Sequence, residues 1–371
     1  MIWRAKLPSL AGVVALAVAL AGCGNSAAGG PDGSGPTPNA PAVTAPSTYT
    51  TVPAEGRTSY PLEVDNCGVK LRFEKAPQRV LILNGTSVAE AQYFVLLGLQ
   101  DRVLANAQSY GVLDDPGMPA AVQGLPKGGL KMNTNFDVPR EQVLALKPDL
   151  VVSAWSGGFD ARSGFATREE LSRAGIASWV PPFHCAYGKA DATEAEKRAF
   201  TAQSITSGFE TLTALGEIFD VPQHAATVVD GLRKRVTAVR TSMAGQPRKN
   251  MIVAFPGMSM MTAQGVPAVL STGVADDVVA AAGGVSPFAG RGTAAMAALS
   301  REELADTPVD ILVLGLFTRD ERPEEEAEKL FKAFPQWSAS KTRSFVAIGD
   351  GAYPGPSNVY AVEKIAKAVR G

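Results

Sequence analysis

The chain has 371 residues, with 35 Lys and Arg against 36 Asp and Glu, for a net charge of -1. A near-neutral balance argues against nucleic acid as a partner. Once the N-terminal segment described next is set aside, about 300 residues remain, enough for two α/β lobes of ordinary size.

Arg4 and Lys6 precede an apolar stretch from Leu10 to Ala21, and Leu20-Ala21-Gly22-Cys23 follows. This is the layout of an export signal, too short to be a spanning helix. Leu20 to Cys23 resemble the lipobox of bacterial lipoproteins, which implies a signal peptide over 1–22 and lipidation of Cys23. The alternative is an ordinary secretory signal with Cys23 near its cleavage site. Residues 23–60 should form the lipidated cysteine and a disordered tether, because Gly, Pro, Ala, Ser and Thr dominate and little surface can be buried. Of the 3 cysteines, Cys67 and Cys185 then remain as an even pair in an oxidising compartment. A disulfide is the simplest use for them, and two buried thiols are the alternative.

The folded part opens with a β-rich run, Arg79 to Leu83, followed by a helical stretch from Val88 to Leu97 that should end at Gly98. The unit repeats as strand Val103 to Ala105, helix Pro139 to Leu146 with strand Leu150 to Val152, and a helix around Glu169 to Ala174 with strand Ala177 to Val180. From Pro222 to Ala244, apolar residues recur every three or four positions (Ala225, Val228, Val229, Leu232, Val236, Val239, Met243), which marks one helix stripe. The pattern then resumes with strand Met251 to Ala254, a helix near Ala275 to Ala282, strand Ile311 to Leu314, helix Pro323 to Phe334, strand Phe345 to Ile348 and a terminal helix. Alternation of this kind predicts an α/β fold of two lobes, 61–220 and 245–371, each a mostly parallel sheet flanked by helices. One long helix, 221–244, should join them, with a largely preformed ligand cleft between the lobes. That the helix packs on one lobe alone is the other reading.

Several stretches in order resemble the helix-linked substrate-binding proteins of ferric siderophore, haem and cobalamin importers. They are Asn66-Cys67-Gly68, Lys75-Ala76-Pro77-Gln78-Arg79-Val80, Leu97-Gly98-Leu99 and, above all, Leu144-Ala145-Leu146-Lys147-Pro148-Asp149-Leu150-Val151. Pro308-Val309-Asp310-Ile311-Leu312 looks like the matching feature in the second half, with one inserted residue. The role of Pro148 and Asp149 is structural: proline stops the helix and aspartate turns the chain into a buried strand. The resemblance implies a monomeric extracytoplasmic lipoprotein, held on the membrane by its lipid anchor, that hands an iron chelate to an ABC permease. It also pairs Cys67 with Cys185, and it implies neither enzymatic activity nor a cofactor.

With only 2 histidines, His184 and His224, the multi-histidine cage of a bare metal receptor cannot be built. Gly257-Met258-Ser259-Met260-Met261 holds only half of a nucleophile elbow. Ligands of open parallel sheets bind beyond the carboxyl ends of strands. The candidate contacts there are Tyr110, Met132, Trp155, Phe183 and Tyr187 in the first lobe and Phe255, Arg291, Arg319 and Tyr353 in the second, with Asn84, Thr86, Asn133, Met258 and Phe317 beside them. Trp155 looks like the strand-end aromatic of cobalamin-binding members. Arg291 and Arg319 could pair with an anionic chelate or stand solvated. A ferric siderophore is favoured, with haem, cobalamin, or a non-transport cell-surface module as alternatives. Glu169 and Glu325 are the expected permease-docking carboxylates, one per lobe, or else simple complements to helix dipoles.

Overall fold

A computed structural model describes residues 49–85, 87–108, 110–133, 137–262, 266–271 and 273–371. The expected signal peptide, Cys23, the tether up to residue 48, and Thr86 lie outside the described residues. Among the described residues, no helix is long and apolar enough to cross a membrane.

The first lobe begins with an antiparallel hairpin, β1 (Leu62–Asn66) and β2 (Val69–Phe73), turning through Cys67 and Gly68. Its main sheet contains β3 (Val80–Ile82), β4 (Val103–Asn106), β5 (Leu150–Val152) and β6 (Ala177–Trp179). These four strands are parallel, in the order β4-β3-β5-β6. Val80, Leu81, Ile82, Leu150, Val151 and Val152 are fully buried. Burial on both faces is what an unbroken run of β-branched and aliphatic residues in a parallel sheet requires.

The second lobe holds β7 (Lys249–Phe255), β8 (Ala268–Leu270), β9 (Gly284–Val285), β10 (Ile311–Gly315) and β11 (Phe345–Ile348). The order is β11-β10-β7-β8, with β9 also on β7 and only β8 antiparallel.

The two lobes start their central strands in the same way. Asp149, just before β5, accepts hydrogen bonds from the Gln78 and Arg79 amides ahead of β3 at 2.7 and 2.9 Å. Asp310, just before β10, accepts one from the Asn250 amide of β7 at 2.8 Å. Each aspartate ties the starts of two adjacent strands, and Lys147 ends the preceding helix in a left-handed turn. The Lys-Pro-Asp segment is thus structural, as its residues suggest.

One helix, Pro222–Met243, connects the lobes. Proline at its first turn costs no hydrogen bond, and Ala225, Val229, Leu232, Val236, Val239 and Met243 are buried. Each of its larger aliphatics contributes roughly 1.5–3 kcal/mol by burial. The stripe belongs to an apolar cluster that also contains Val80 and Leu150 of the first sheet and Met251 and Val313 of the second. Helix and both lobes therefore share one core. Arg235 adds a bidentate pair with Glu363 of the terminal helix, Asn358–Arg370, at 2.7 and 2.8 Å.

The composition of residues 49–60 places them in the tether, and here the expectation is corrected. The Val52 amide donates to Gly98 at 2.8 Å, and the Asp220 carboxylate accepts from the amides of Gly56, Arg57 and Thr58. Glu55 accepts from the Gln223 and His224 amides, filling orphan donors at the start of the connecting helix. Gly98 ends its helix at φ +65°, and a Cβ there would lie 2.5 Å from Val52. A chain poor in large aliphatics is held instead by hydrogen bonds, chiefly from its backbone to the buried Asp220 carboxylate, which composition does not report.

The Sγ atoms of Cys67 and Cys185 lie 2.07 Å apart, joining the hairpin turn to the loop after β6.

Candidate functional site

Loops leaving the carboxyl ends of the strands carry an aromatic group on each lobe. In the first lobe, Trp155 follows β5 and its ring is half-buried. The Tyr187 ring sits 4.8 Å from it, Phe200 stacks on Tyr187 at 5.6 Å, and His184 lies 5.8 Å from Tyr187. Glycine makes this packing possible: a Cβ on Gly157 or Gly188 would come within 2.4 or 2.6 Å of the indole. The Gly157 amide also donates to the Tyr187 carbonyl, tying the two loops. His184 shares a hydrogen bond between Nδ1 and the Ala154 carbonyl at 2.6 Å. Burial pushes its pKa down to about 4, so the ring is neutral at pH 7 and Nδ1 is the donor.

In the second lobe, Tyr353 follows β11, donates its hydroxyl to the Met258 sulfur at 3.2 Å and packs on Phe255 at 5.6 Å. Burial raises the Tyr353 phenol well above its ordinary value, and Asp350, Glu321 and Tyr187 push it further in the same direction. The Glu321 carboxylate accepts from the Phe317 and Thr318 amides at the tip of the loop after β10.

The loop after β11 also locks the lobes together. Asp350 accepts from the Val88 amide at 2.9 Å and from the Gln92 side chain at 3.0 Å. Ser357 donates to Gln92, and Asp114 accepts from the Gly349 and Gly351 amides while pairing with Lys364 at 2.9 Å. Burial, then the charges of Asp114 and Glu90, raise the Asp350 carboxyl to about 7. Glu90, accepting from Gln108 at 2.8 Å, is pushed to about 7 by burial as well.

The sequence-derived candidates divide into two groups. Trp155 and Tyr187 come together at the strand ends of the first lobe, and Tyr353 packs on Phe255 and Met258 in the second. Met132, Tyr187 and Phe317 are exposed, at 38%, 39% and 41%, and apolar surface gathered at strand ends is what a ligand would cover. Asn84 donates to Asp137 at 3.0 Å, which draws the Met132 loop to the end of β3.

The others are committed elsewhere. Phe255 is fully buried beneath Tyr353, and Phe183 is 6% exposed, so both support the walls from within the core and present no face to a ligand. The Tyr110 hydroxyl is clamped by Gly85, donating to its carbonyl and accepting from its amide. Arg291 pairs with Glu303 and lies over the Phe288 ring, because its helix-side neighbour supplies the carboxylate. Arg319 donates across the lobes to the Gly111 carbonyl at 2.9 Å. Glu169 and Glu325 are exposed near the starts of their helices, paired with Arg173 and Arg322 of the same segments.

Sequence reasoning missed Phe200, Glu321 and the Asp114–Asp350 pair. Phe200 sits on a charged helix, Glu194–Thr201, where no periodicity signals a contact with a distant tyrosine. Among the described residues, no group of His, Cys, Asp and Glu is arranged to hold a metal ion.

Residues 86–342 match the family model of the periplasmic binding protein. That is more than half of the chain, which belongs to this family of solute-binding proteins. A periplasmic binding protein from Veillonella parvula superposes with TM-score 0.64 at 19% identity, covering 83% of this chain and 97% of that one. An ABC-type Fe3+-hydroxamate transport system from Saccharomonospora viridis gives 0.59 at 21%, with 84% and 100% covered. A periplasmic vitamin B12 binding protein of Vibrio cholerae gives 0.53 at 17%, with 80% and 97% covered. At these identities the likeness is one of fold. A search of curated proteins finds no match.

Proposed function

We propose that this chain is a lipid-anchored, extracytoplasmic substrate-binding protein of an ABC importer, capturing a ferric siderophore and handing it to the permease. The observation that carries this reading is the aromatic surface at the strand ends of both lobes: Trp155 and Tyr187 on one, Tyr353 with Met258 on the other. Aromatic and thioether surface suits an organic chelate several times larger than an amino acid. The family supports the binding role, and the Fe3+-hydroxamate transport relative from Saccharomonospora viridis favours iron complexes over the haem and vitamin B12 of other relatives.

Under this reading Cys23 carries the lipid and the protein acts as a monomer. Glu169 and Glu325 meet the permease, where complementary charge fixes orientation and speeds encounter. Titration of tryptophan emission with ferric chelates, haem and cobalamin tests the ligand, since Trp155 lies in the wall. Saturable quenching by a ferric siderophore is expected. Quenching by haem or cobalamin alone would change the ligand, and quenching by none would point to a cell-surface interaction module.

A further inference from the structure

Given the aromatic surface of the first lobe as part of the ligand site, as proposed above, we infer that Cys67, at the distant β1–β2 turn, is a positioning residue for it. Through its disulfide and its carbonyl, Cys67 sets where Tyr187 stands, and with it Trp155. Cys67 holds the loop after β6 on both sides of Tyr187. Its sulfur is bonded to Cys185, two residues before the tyrosine. Its carbonyl accepts from the Lys189 ammonium, two residues after the tyrosine, at 3.1 Å. Two residues of chain reach no further than about 7 Å, so both fastenings act on the tyrosine backbone directly.

The point of attachment is itself fixed. Asn66 accepts from the Val180 amide at 2.9 Å and donates to the Val180 carbonyl at 2.7 Å, which pins the hairpin turn to the end of β6. Arg168 donates to the Asn66 carbonyl and side chain at 2.7 and 2.9 Å. Lys189 is held as well, by Glu196 at 2.7 Å, and that carboxylate caps the helix carrying Phe200, the ring stacked on Tyr187. The Tyr187 side chain is exposed, so packing from outside does little to place it. Its backbone in turn places the indole: the Tyr187 carbonyl accepts from the Gly157 amide at 3.1 Å, and Gly188 lies against the Trp155 ring. A loop released from Cys67 would have to be ordered again when a ligand binds, and that ordering subtracts from affinity.

Acrylamide quenching of tryptophan emission from the exported protein tests this with no ligand present. Trp179 and Trp337 are fully buried and Trp155 is half-buried, and Trp155→Phe supplies the baseline of all the other tryptophans. Cys67→Ser together with Cys185→Ser should raise the quenching constant of Trp155 by about twofold or more, with the far-UV circular dichroism unchanged, because the loop opens locally. The same variant should bind ferrichrome about tenfold more weakly. Lys189→Met, which keeps the bridge, should move both readouts in the same direction by less, and it decides the matter should the double serine variant fail to fold. Unchanged quenching in a folded variant, or unchanged affinity where the unaltered protein binds ferrichrome, would overturn the inference and leave the bridge a stabiliser alone. Raised quenching in a protein that binds no ferrichrome even when unaltered would uphold the positioning role and count against the ferric-chelate reading.

Discussion

The Asp350 carboxylate on the second lobe accepts the backbone amide of Val88 on the first, at 2.9 Å. With Gln92 on the same carboxylate and Asp114 holding Gly349 and Gly351, the loop that carries Tyr353 is fastened to the opposite lobe. The wall of the cleft and the lock between the lobes are therefore one element.

This lock makes stability depend on pH. Asp350 and Glu90 are raised to about 7 in the folded protein, whereas an unfolded carboxylate titrates near about 4. Folding thus favours the protonated forms. Their stabilising effect is full below about 4 and is lost as pH rises through about 7. His184, whose pKa is lowered to about 4, opposes this below about pH 6.5, so thermal unfolding should show a melting temperature that falls most clearly between about pH 6.5 and 8. The double variant Glu90→Gln with Asp350→Asn should flatten that fall, and an unchanged slope would mean that these two carboxyls do not carry it.

Trp155→Ala should weaken chelate binding by about tenfold or more, the usual cost of removing a central aromatic contact, while leaving the melting temperature within a few degrees. Gly188→Ala should weaken it too without touching the ligand. A methyl there meets the indole, and its φ of +72° strains any L side chain. Isothermal titration beside a melting curve separates the two effects, and full affinity in both variants would remove Trp155 from the site.

Cys67 and Cys185 close a span of 118 residues, for which the chain-entropy account gives about 4 to 5 kcal/mol. Intact-mass analysis after alkylation should find no free thiol at either position in unreduced, envelope-purified protein. Reduction should lower the melting temperature. Two alkylated thiols in the unreduced sample would show that no bridge forms.

Charge reversal at Glu169 together with Glu325 should leave ligand affinity unchanged and abolish uptake of the labelled chelate into cells. The arginine partners of both residues are exposed, and surface pairs of this kind contribute little to stability. Normal uptake at normal protein levels would reduce both glutamates to helix-dipole partners.

The strands were legible because a sheet buried on both faces needs continuous aliphatics, and runs such as Val80 to Ile82 or Ile311 to Leu314 have no other use. The connecting helix was legible from its stripe, and the end of the first long helix from Gly98. The β1–β2 hairpin was marked only by short alternation around the Cys67-Gly68 turn, which a helix-and-strand repeat obscures. Trp155, Tyr187 and Tyr353 followed from the rule that ligands lie beyond strand ends. That rule could not separate them from Phe255 and Phe183, because being wall or support depends on which neighbour covers the ring. Asp114, Asp350 and Gln92 gave no signal, since their partners lie more than 230 residues away in sequence.

The central claim is most directly tested by equilibrium dialysis of the exported protein against a radio-iron-labelled ferric trihydroxamate, with Trp155→Ala as its comparison. The account predicts saturable, one-to-one retention of iron at micromolar concentrations or below, lost on adding excess unlabelled complex and weakened in the variant. Retention no greater than that of a protein-free chamber, across ferric siderophores of every charge, would contradict it.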